Sequence, residues 1–322
     1  MDISIILPSF NRCDDLRRCL LSIAKQKNCT AEIIVVDDGS TDSTVEMVKT
    51  EFPNTRLFRN EGNLGPGYAR NVGIINAKGK YLLILDSDTE LHHPLILANF
   101  IDFFQKHPDV GCVGGEIKQH NNSDDRVFGR LIAADGNSTP ISISNRARNY
   151  AECDFLATCC CMLKTELAIK IGGLDHYYGF GAEDKDFGYR IKQAGYTNYV
   201  SADCAVKHHH SPGGRSLDET FKYQKTRMRF VLKCFPFGKK VYACLLWMWR
   251  AIFFYLTMPV KLSLYLIKGK PLVKENFLGG YMILKAFFEN LVSIKEIKTT
   301  RTLNFLDPKE MRCYVRKSSK YK

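Results

Sequence analysis

Along the first two-thirds of the chain, apolar positions switch between strand-like and helix-like spacing, and the switches mark the elements. Residues 3–8 read as a strand, and 14–26 carries Leu16, Leu20, Ile23 and Ala24 at helical spacing. The pattern repeats as a strand over 32–36, a helix over 43–52, a short strand over 56–58 and a helix over 67–76. Tyr81-Leu82-Leu83-Ile84-Leu85 then predicts a strand buried on both faces, as in a parallel sheet covered by helices. More strands are expected over 110–116 and 199–206, with order returning over 155–163 and a helix from 183 to about 194. Alternating strands and helices joined by short loops predict an α/β fold, a mostly parallel Rossmann-like sheet flanked by helices. Residues 117–150 interrupt this rhythm. They are polar and irregular, with Asn121-Asn122-Ser123-Asp124-Asp125 and Gly136-Asn137-Ser138-Thr139-Pro140 reading as long loops of the kind that form lids or specificity elements.

Candidate chemistry sits at the strand ends. The 81–85 strand stops on Asp86-Ser87-Asp88, and the 32–36 strand on Asp37-Asp38-Gly39-Ser40. In a parallel sheet both tips lie at one edge, where open α/β sheets bind ligands. Carboxylates there can hold a hard divalent cation with its phosphates, or accept hydrogen bonds from a base or ribose. The competing account is turn chemistry: an Asx turn with Asp86 or Asp88 capping the helix near Pro94, and Gly39 and Ser40 closing a turn. Arg70, early in its helix, either neutralises the acids, touches a phosphate, or makes an ordinary surface pair. Gly179-Phe180-Gly181-Ala182-Glu183-Asp184 opens a helix with acids, which either suit its dipole or supply a carboxylate base to a sugar hydroxyl. Lys207-His208-His209-His210 follows the last strand, as metal or phosphate ligands or as a solvated loop.

Charge divides the chain. Residues 1–206 hold 22 Lys/Arg against 27 Asp/Glu, whereas 207–322 hold 24 against 7. The basic part is therefore expected to face phosphate-rich material. Its aromatic, Leu-rich character argues against nucleic acid. There is no GxGxxG or Walker loop, which disfavours dinucleotide oxidoreductases and P-loop kinases. The 12 cysteines are read as reduced cytosolic thiols, since the first apolar run is too short for a signal sequence. Cys159-Cys160-Cys161 lies in a strand-like run whose residues face alternate ways, so they are expected as small core residues rather than a zinc site.

These residues together resemble the family-2 glycosyltransferases of the GT-A fold, over about residues 1–211. The resemblance rests on Ser4-Ile5-Ile6-Leu7-Pro8-Ser9-Phe10-Asn11-Arg12, Val36-Asp37-Asp38-Gly39-Ser40-Thr41-Asp42, Asn63-Leu64-Gly65 with Ala69-Arg70-Asn71, Asp86-Ser87-Asp88, Glu183-Asp184 and His208. It implies a GT-A catalytic domain over 1–215, with a nucleotide-sugar-binding half to about 116 and an acceptor-binding half after it. It implies transfer with inversion from a nucleotide-diphosphate sugar, assisted by Mg²⁺ or Mn²⁺. By motif, Pro8, Asn11, Arg12, Asn63, Arg70 and Ser87 join the donor site. Asp38, with Asp37 beside it, contacts the base, and Asp86 lies near the ribose. Asp88 ligates the metal, with His208 completing the metal or phosphate site, although the run of three histidines leaves its register open. Asp184, beside Glu183, is the acceptor-side base. The glutamine- and arginine-rich motif of processive synthases is missing, which favours transfer of a single sugar.

Behind this domain, 216–300 is expected as a helical, basic, amphipathic extension and 301–322 as a flexible basic tail. Residues 241–267 would span a bilayer by length, but Arg250, Pro259 and Lys261 interrupt them. Basic flanks and Trp247 and Trp249 suit an interfacial helix on an anionic leaflet, with packing on the core or a homodimer surface as the alternatives. The expectation is a cytoplasmic enzyme held peripherally at the inner face of the cell membrane, acting on a cell-envelope glycan or lipid-linked oligosaccharide. Its rivals are a polyisoprenyl-phosphate sugar transferase and a non-catalytic membrane-bound scaffold.

Overall fold

The apolar runs fold into one large sheet. The structure, a computed structural model, describes residues 1–119, 126–127, 129–141, 148–179, 181–209, 216–267 and 278–318. The chain opens with β1 (Ile3–Ser9), α1 (Cys13–Ala24), β2 (Ala31–Asp37), α2 (Thr44–Glu51), β3 (Arg56–Arg59), α3 (Pro66–Asn76) and β4 (Tyr81–Leu85). All seven residues of β1 and all five of β4 are buried, which is why both read as near-continuous apolar runs. β1 pairs in parallel with both β2 and β4, so the strand order reverses at β1 and opens a crevice at the carboxyl ends of these strands.

The second half completes the sheet: β5 (Thr89–Glu90), α4 (Ile96–Lys106), β6 (Val110–Gln119), β7 (Arg126–Val127), a hairpin of β8 (Arg130–Ile132) and β9 (Ser138–Pro140), β10 (Tyr150–Cys153), β11 (Cys160–Lys164), α5 (Thr165–Lys170), a 3₁₀ turn (His176–Tyr178), α6 (Glu183–Gln193) and β12 (Thr197–His208). The order is β10-β12-β6-β11-β4-β1-β2-β3. β11 runs antiparallel between β4 and β6, and β12 is parallel to β6. The stretch expected to be irregular is partly ordered: β6 runs on to Gln119, and the β8–β9 hairpin holds the predicted turn at 136–140. The loop expected at 121–125 lies outside the described residues. Cys159, Cys160 and Cys161 are buried, with Cys160 and Cys161 in the cores on opposite faces of the sheet.

The extension comprises α7 (Leu217–Cys234), α8 (Phe237–Ile267), α9 (Gly279–Val292), α10 (Ile294–Thr299) and α11 (Pro308–Ser318). α7 starts with a capping box made by Ser216 and Glu219. It is keyed to the core by buried charge: Lys233 lies 2.8 Å from both Asp175 and Asp186, all three nearly inaccessible. Asp135, at the tip of the β8–β9 hairpin, pairs with Arg250 of α8, and its carbonyl accepts from Trp247 Nε1 at 3.1 Å. Residues 301–318, expected as part of a flexible tail, contain a helix instead. Phe305, Leu306 and Met311 are buried, and Tyr314 stacks on Tyr68 while donating to the Leu64 carbonyl. The tail folds back because its own apolar residues cover α3; only 319–322 lie outside the described residues.

Within α8, Phe237–Pro259 is long and apolar enough to cross a membrane, the one such stretch among the described residues. Trp247 and Ala251 face the core, whereas Leu245, Trp249, Ile252, Phe253 and Leu256 are exposed.

Candidate active site

The crevice over β1 and β4 is a cleft of about 530 Å³ lined by Pro8, Ser9, Phe10, Arg12, Asp38, Asn63, Pro66, Ala69, Arg70, Asp86, Ser87 and Asp88. Of the residues expected to hold the donor, Pro8, Arg12, Asp38, Asn63, Arg70, Asp86 and Ser87 therefore share one surface. Asn11 and Asp37 do not line it. Asn11 sits at φ +52 and braces the neighbouring turn, its Oδ1 accepting from the Thr41 amide and its own amide donating to Ser40 Oγ. Asp37 is fully buried, accepting from the Ser40 amide and pairing with Arg59 at 3.2 Å. Turn chemistry accounts for Asp37, whereas Asp38 reaches the cleft.

Asp38 is itself firmly held. It accepts from Asn60 Nδ2 at 2.7 Å and from the amides of Leu64 and Gly65, which pins the 60–65 loop against the β2 tip. Burial raises its pKa, opposed by those three hydrogen bonds. The loop fits closely: a Cβ at Gly39, φ +83, would come 2.6 Å from the Gly62 Cα. Only glycine serves there.

Asp88 accepts from Arg12 at 2.7 Å and lies 3.1 Å from His208 Nε2. Burial raises its pKa, but the His208 bond and the charges of His208 and Arg12 outweigh burial and hold it at about 2. His208 moves up in turn, since Asp88 outweighs the desolvation that would lower it. Pairing of β12 with β5 sets the register, placing His208 opposite Thr89 and Lys207 opposite Glu90. Strand alternation then sends the next imidazole the other way: His209 meets Glu90 at 2.8 Å. His208 is the histidine at the site, and His210 lies outside the described residues. Asp86, Asp88 and His208 place one ligand atom each within 4.8 Å of one another, the one such cluster among the described residues. Asp86, expected near the ribose, also shares with Asp88 and His208 a group that could hold a cation. Neither acid caps α4, which has no side-chain cap.

Arg70 joins the two halves of the site. Buried at 5% side-chain exposure, it reaches Asp86 at 2.8 Å and Glu183 at 3.1 Å. This is no ordinary surface pair. Ala182 enters α6 in the left-handed region, φ +68, a conformation strained for alanine, and presents Glu183 and Asp184 in the first turn. Asp184 is partly buried beside a narrow gap lined by Thr158, Cys161 and Asn198, and it does not line the donor cleft. Burial, then the charge of Glu183, pushes its pKa up to about 7. Lys185 turns away, its Nζ donating to the Gly136 carbonyl at 2.6 Å. Sequence reasoning missed Phe10 and Pro66 in the lining, the His209–Glu90 pair and the Asp135 cluster. The spacing of HHH was the one signal that pointed to any of them.

The sequence profile described as Glycosyl transferase family 2 matches residues 4–172. The chain belongs to this family. Its sheet is that of the GT-A fold. Curated relatives align with the chain over part of its length only. The chain is 41% identical over 93 residues to an uncharacterized glycosyltransferase, YibD, of Escherichia coli, covering 28% of this chain and 27% of that one. It is 39% identical over 88 residues to the succinoglycan biosynthesis protein ExoO of Rhizobium meliloti, covering 27% and 25%. The matched stretch thus spans about a quarter of the length of these relatives. Among solved structures, the mannosyltransferase PcManGT from Pyrobaculum calidifontis, in complex with GDP-Man and Mn²⁺, superposes with TM-score 0.58 at 19% identity, covering 90% of this chain and 86% of that one. S. aureus TarS 1-349 superposes at 0.54 and 18% identity, covering 95% and 89%. These likenesses carry the fold.

Proposed function

We propose that this family-2 protein is a metal-dependent, inverting glycosyltransferase that moves one sugar from a nucleotide-diphosphate sugar to a hydroxyl of a cell-envelope glycan or lipid-linked oligosaccharide. The observation that carries the reading is the meeting of Asp86, Asp88 and His208 at the cleft, bridged by Arg70 to the helix bearing Glu183 and Asp184. Two carboxylates and an imidazole fit a hard-to-borderline divalent cation, and the nitrogen donor favours Mn²⁺ over Mg²⁺. PcManGT was solved with GDP-Man and Mn²⁺, and GalNAc-T7 with UDP, GalNAc and Mn²⁺, which supports the same donor chemistry here. Asp88 and His208, with Asp86 beside them, would hold the ion; when bound it neutralises charge building on the departing diphosphate.

The chain's own groups do the rest. Asp38 fixes the loop that shapes the base end of the cleft. Arg12 and Arg70 supply positive charge along the cleft where phosphates would lie. Asp184, poised at about 7, is half ionised near neutral pH and suited to take the acceptor's hydroxyl proton as the oxygen attacks from the side opposite the leaving diphosphate. The exposed apolar face of α8 beside a strongly basic extension supports peripheral association with an anionic leaflet.

The test is a donor screen following nucleoside diphosphate release with and without Mn²⁺ or Mg²⁺, with the anomeric configuration of the product read by NMR. Metal-dependent release from one donor class with inverted product is the expected result. Release that ignores the metal, or a retained configuration, contradicts the reading.

A further inference from the structure

A second cavity, of about 560 Å³, opens beside the turn that delivers Glu183 and Asp184. Tyr178 and Gly179 of that turn line it, facing Lys222, Lys225 and Arg229 of α7 and Glu296 of α10. The three cations recur at i, i+3 and i+7, one face of the helix. Lys222 and Lys225 make exposed pairs with Asp218 and Glu289, of the kind an incoming anion displaces readily.

Arg229 differs. Its side chain is 9% exposed, packed over the Tyr178 ring at 5.5 Å, and one terminal nitrogen meets Glu296 at 3.1 Å. Its Nε and second terminal nitrogen are buried with no hydrogen-bond partner among the described residues. Glu296 is 48% exposed and free to turn to water, whereas the guanidinium is fixed. A buried, planar guanidinium with two unpartnered nitrogens, in the wall of a cavity whose rim carries Lys222 and Lys225, suits a tetrahedral oxyanion better than a neutral sugar face.

We propose that this cavity is an acceptor subsite for a phosphate ester, gripped by Arg229 with Lys222 and Lys225 at its more exposed rim. The inference rests on reading Asp184 as the acceptor-side base, because Gly179 stands five positions before that residue. The acceptor is then phosphate-bearing.

Calorimetric titration of the full chain with inorganic phosphate at low ionic strength tests the site without any sugar donor. The wild type is expected to bind phosphate, and K222Q/K225Q to bind it about tenfold more weakly. R12Q, which removes a cation from the donor cleft, is expected to leave that difference in place. Arg229→Lys, which keeps the charge and loses the fork, is expected to weaken binding too; the exposed lysine pair keeps the test open if that variant misfolds. Soluble glycerol phosphate and farnesyl phosphate in phosphatidylcholine vesicles distinguish a glycan-borne from a lipid-borne phosphate, by which of them competes. Equal phosphate affinity in wild type and K222Q/K225Q, no binding in either, or competition by neither ester overturns the inference. Sugar transfer persisting alongside such a result leaves the base assignment standing. Phosphate binding without any donor turnover spares the cavity and counts against the base.

Discussion

Glu183→Gln isolates the electrostatics of the proposed base. The side-chain oxygen that accepts from Arg70 at 3.1 Å is retained as an amide carbonyl, so the bridge to Asp86 keeps an acceptor. What disappears is a negative charge on the residue next to Asp184, the largest influence after burial that holds its pKa at about 7. At a separation of roughly 7 Å and an effective dielectric of about 30, that repulsion is on the order of 1.5 kcal/mol, or about one pH unit. Arg70, freed of one countercharge, pulls Asp184 the same way. The base must be ionised to act, so activity rises with pH through its pKa, and the variant's rise falls about one unit lower. The ionised fraction at pH 6 grows roughly fivefold, and the high-pH plateau drops about threefold because a weaker base accepts the proton. The assay is kcat/KM from nucleoside diphosphate release between pH 5 and 9, with Asp184→Asn as the control that loses the limb. A limb that stays put in Glu183→Gln, or moves to higher pH, would refute the coupling.

Three further outcomes follow from other parts of the molecule. Asp88→Asn removes a carboxylate from the ligand cluster and is expected to weaken Mn²⁺ binding, measured calorimetrically with nucleoside diphosphate present, by about tenfold or more; unchanged affinity would exclude Asp88 as a ligand. Lys233→Met strands two buried carboxylates and is expected to cost about 3–5 kcal/mol, lowering the Tm by about 4–7 °C, while an unchanged Tm would show the triad contributes nothing. Replacing Trp249, Phe253 and Leu256 of α8 with Ser removes exposed apolar surface; cosedimentation with anionic vesicles should fall on the order of a hundredfold without loss of Tm, and unchanged cosedimentation would count against surface association.

Much of this architecture is legible because local pattern and tertiary environment agree. Tyr81–Leu85 is apolar throughout because both faces of β4 are covered, and the helix expected over 43–52 forms as Thr44–Glu51. Acidic strand tips are readable because carboxylates at the carboxyl edge of a parallel sheet need a reason to be there. Other features depend on contacts between distant segments. Asp37 and Asp38 are identical and adjacent, yet one braces a turn and the other reaches the cleft, a difference made by Arg59 and the 60–65 loop. The run His208-His209-His210 cannot disclose which ring faces Asp88 until β12 pairs with β5. Residues 301–318 look like a polar tail because their apolar residues are scattered among charged ones, although Phe305, Leu306 and Met311 are buried.

The central claim is that acids distant in sequence serve one cation at the edge of the sheet. Crystals of the full chain grown with nucleoside diphosphate and Mn²⁺, with anomalous diffraction collected at the manganese edge, address it directly. The account predicts a single strong peak within coordinating distance of Asp88 and His208, with the diphosphate extending toward Arg12 and Arg70. A peak away from these residues, or nucleotide bound in the cleft with no manganese beside it, would contradict it.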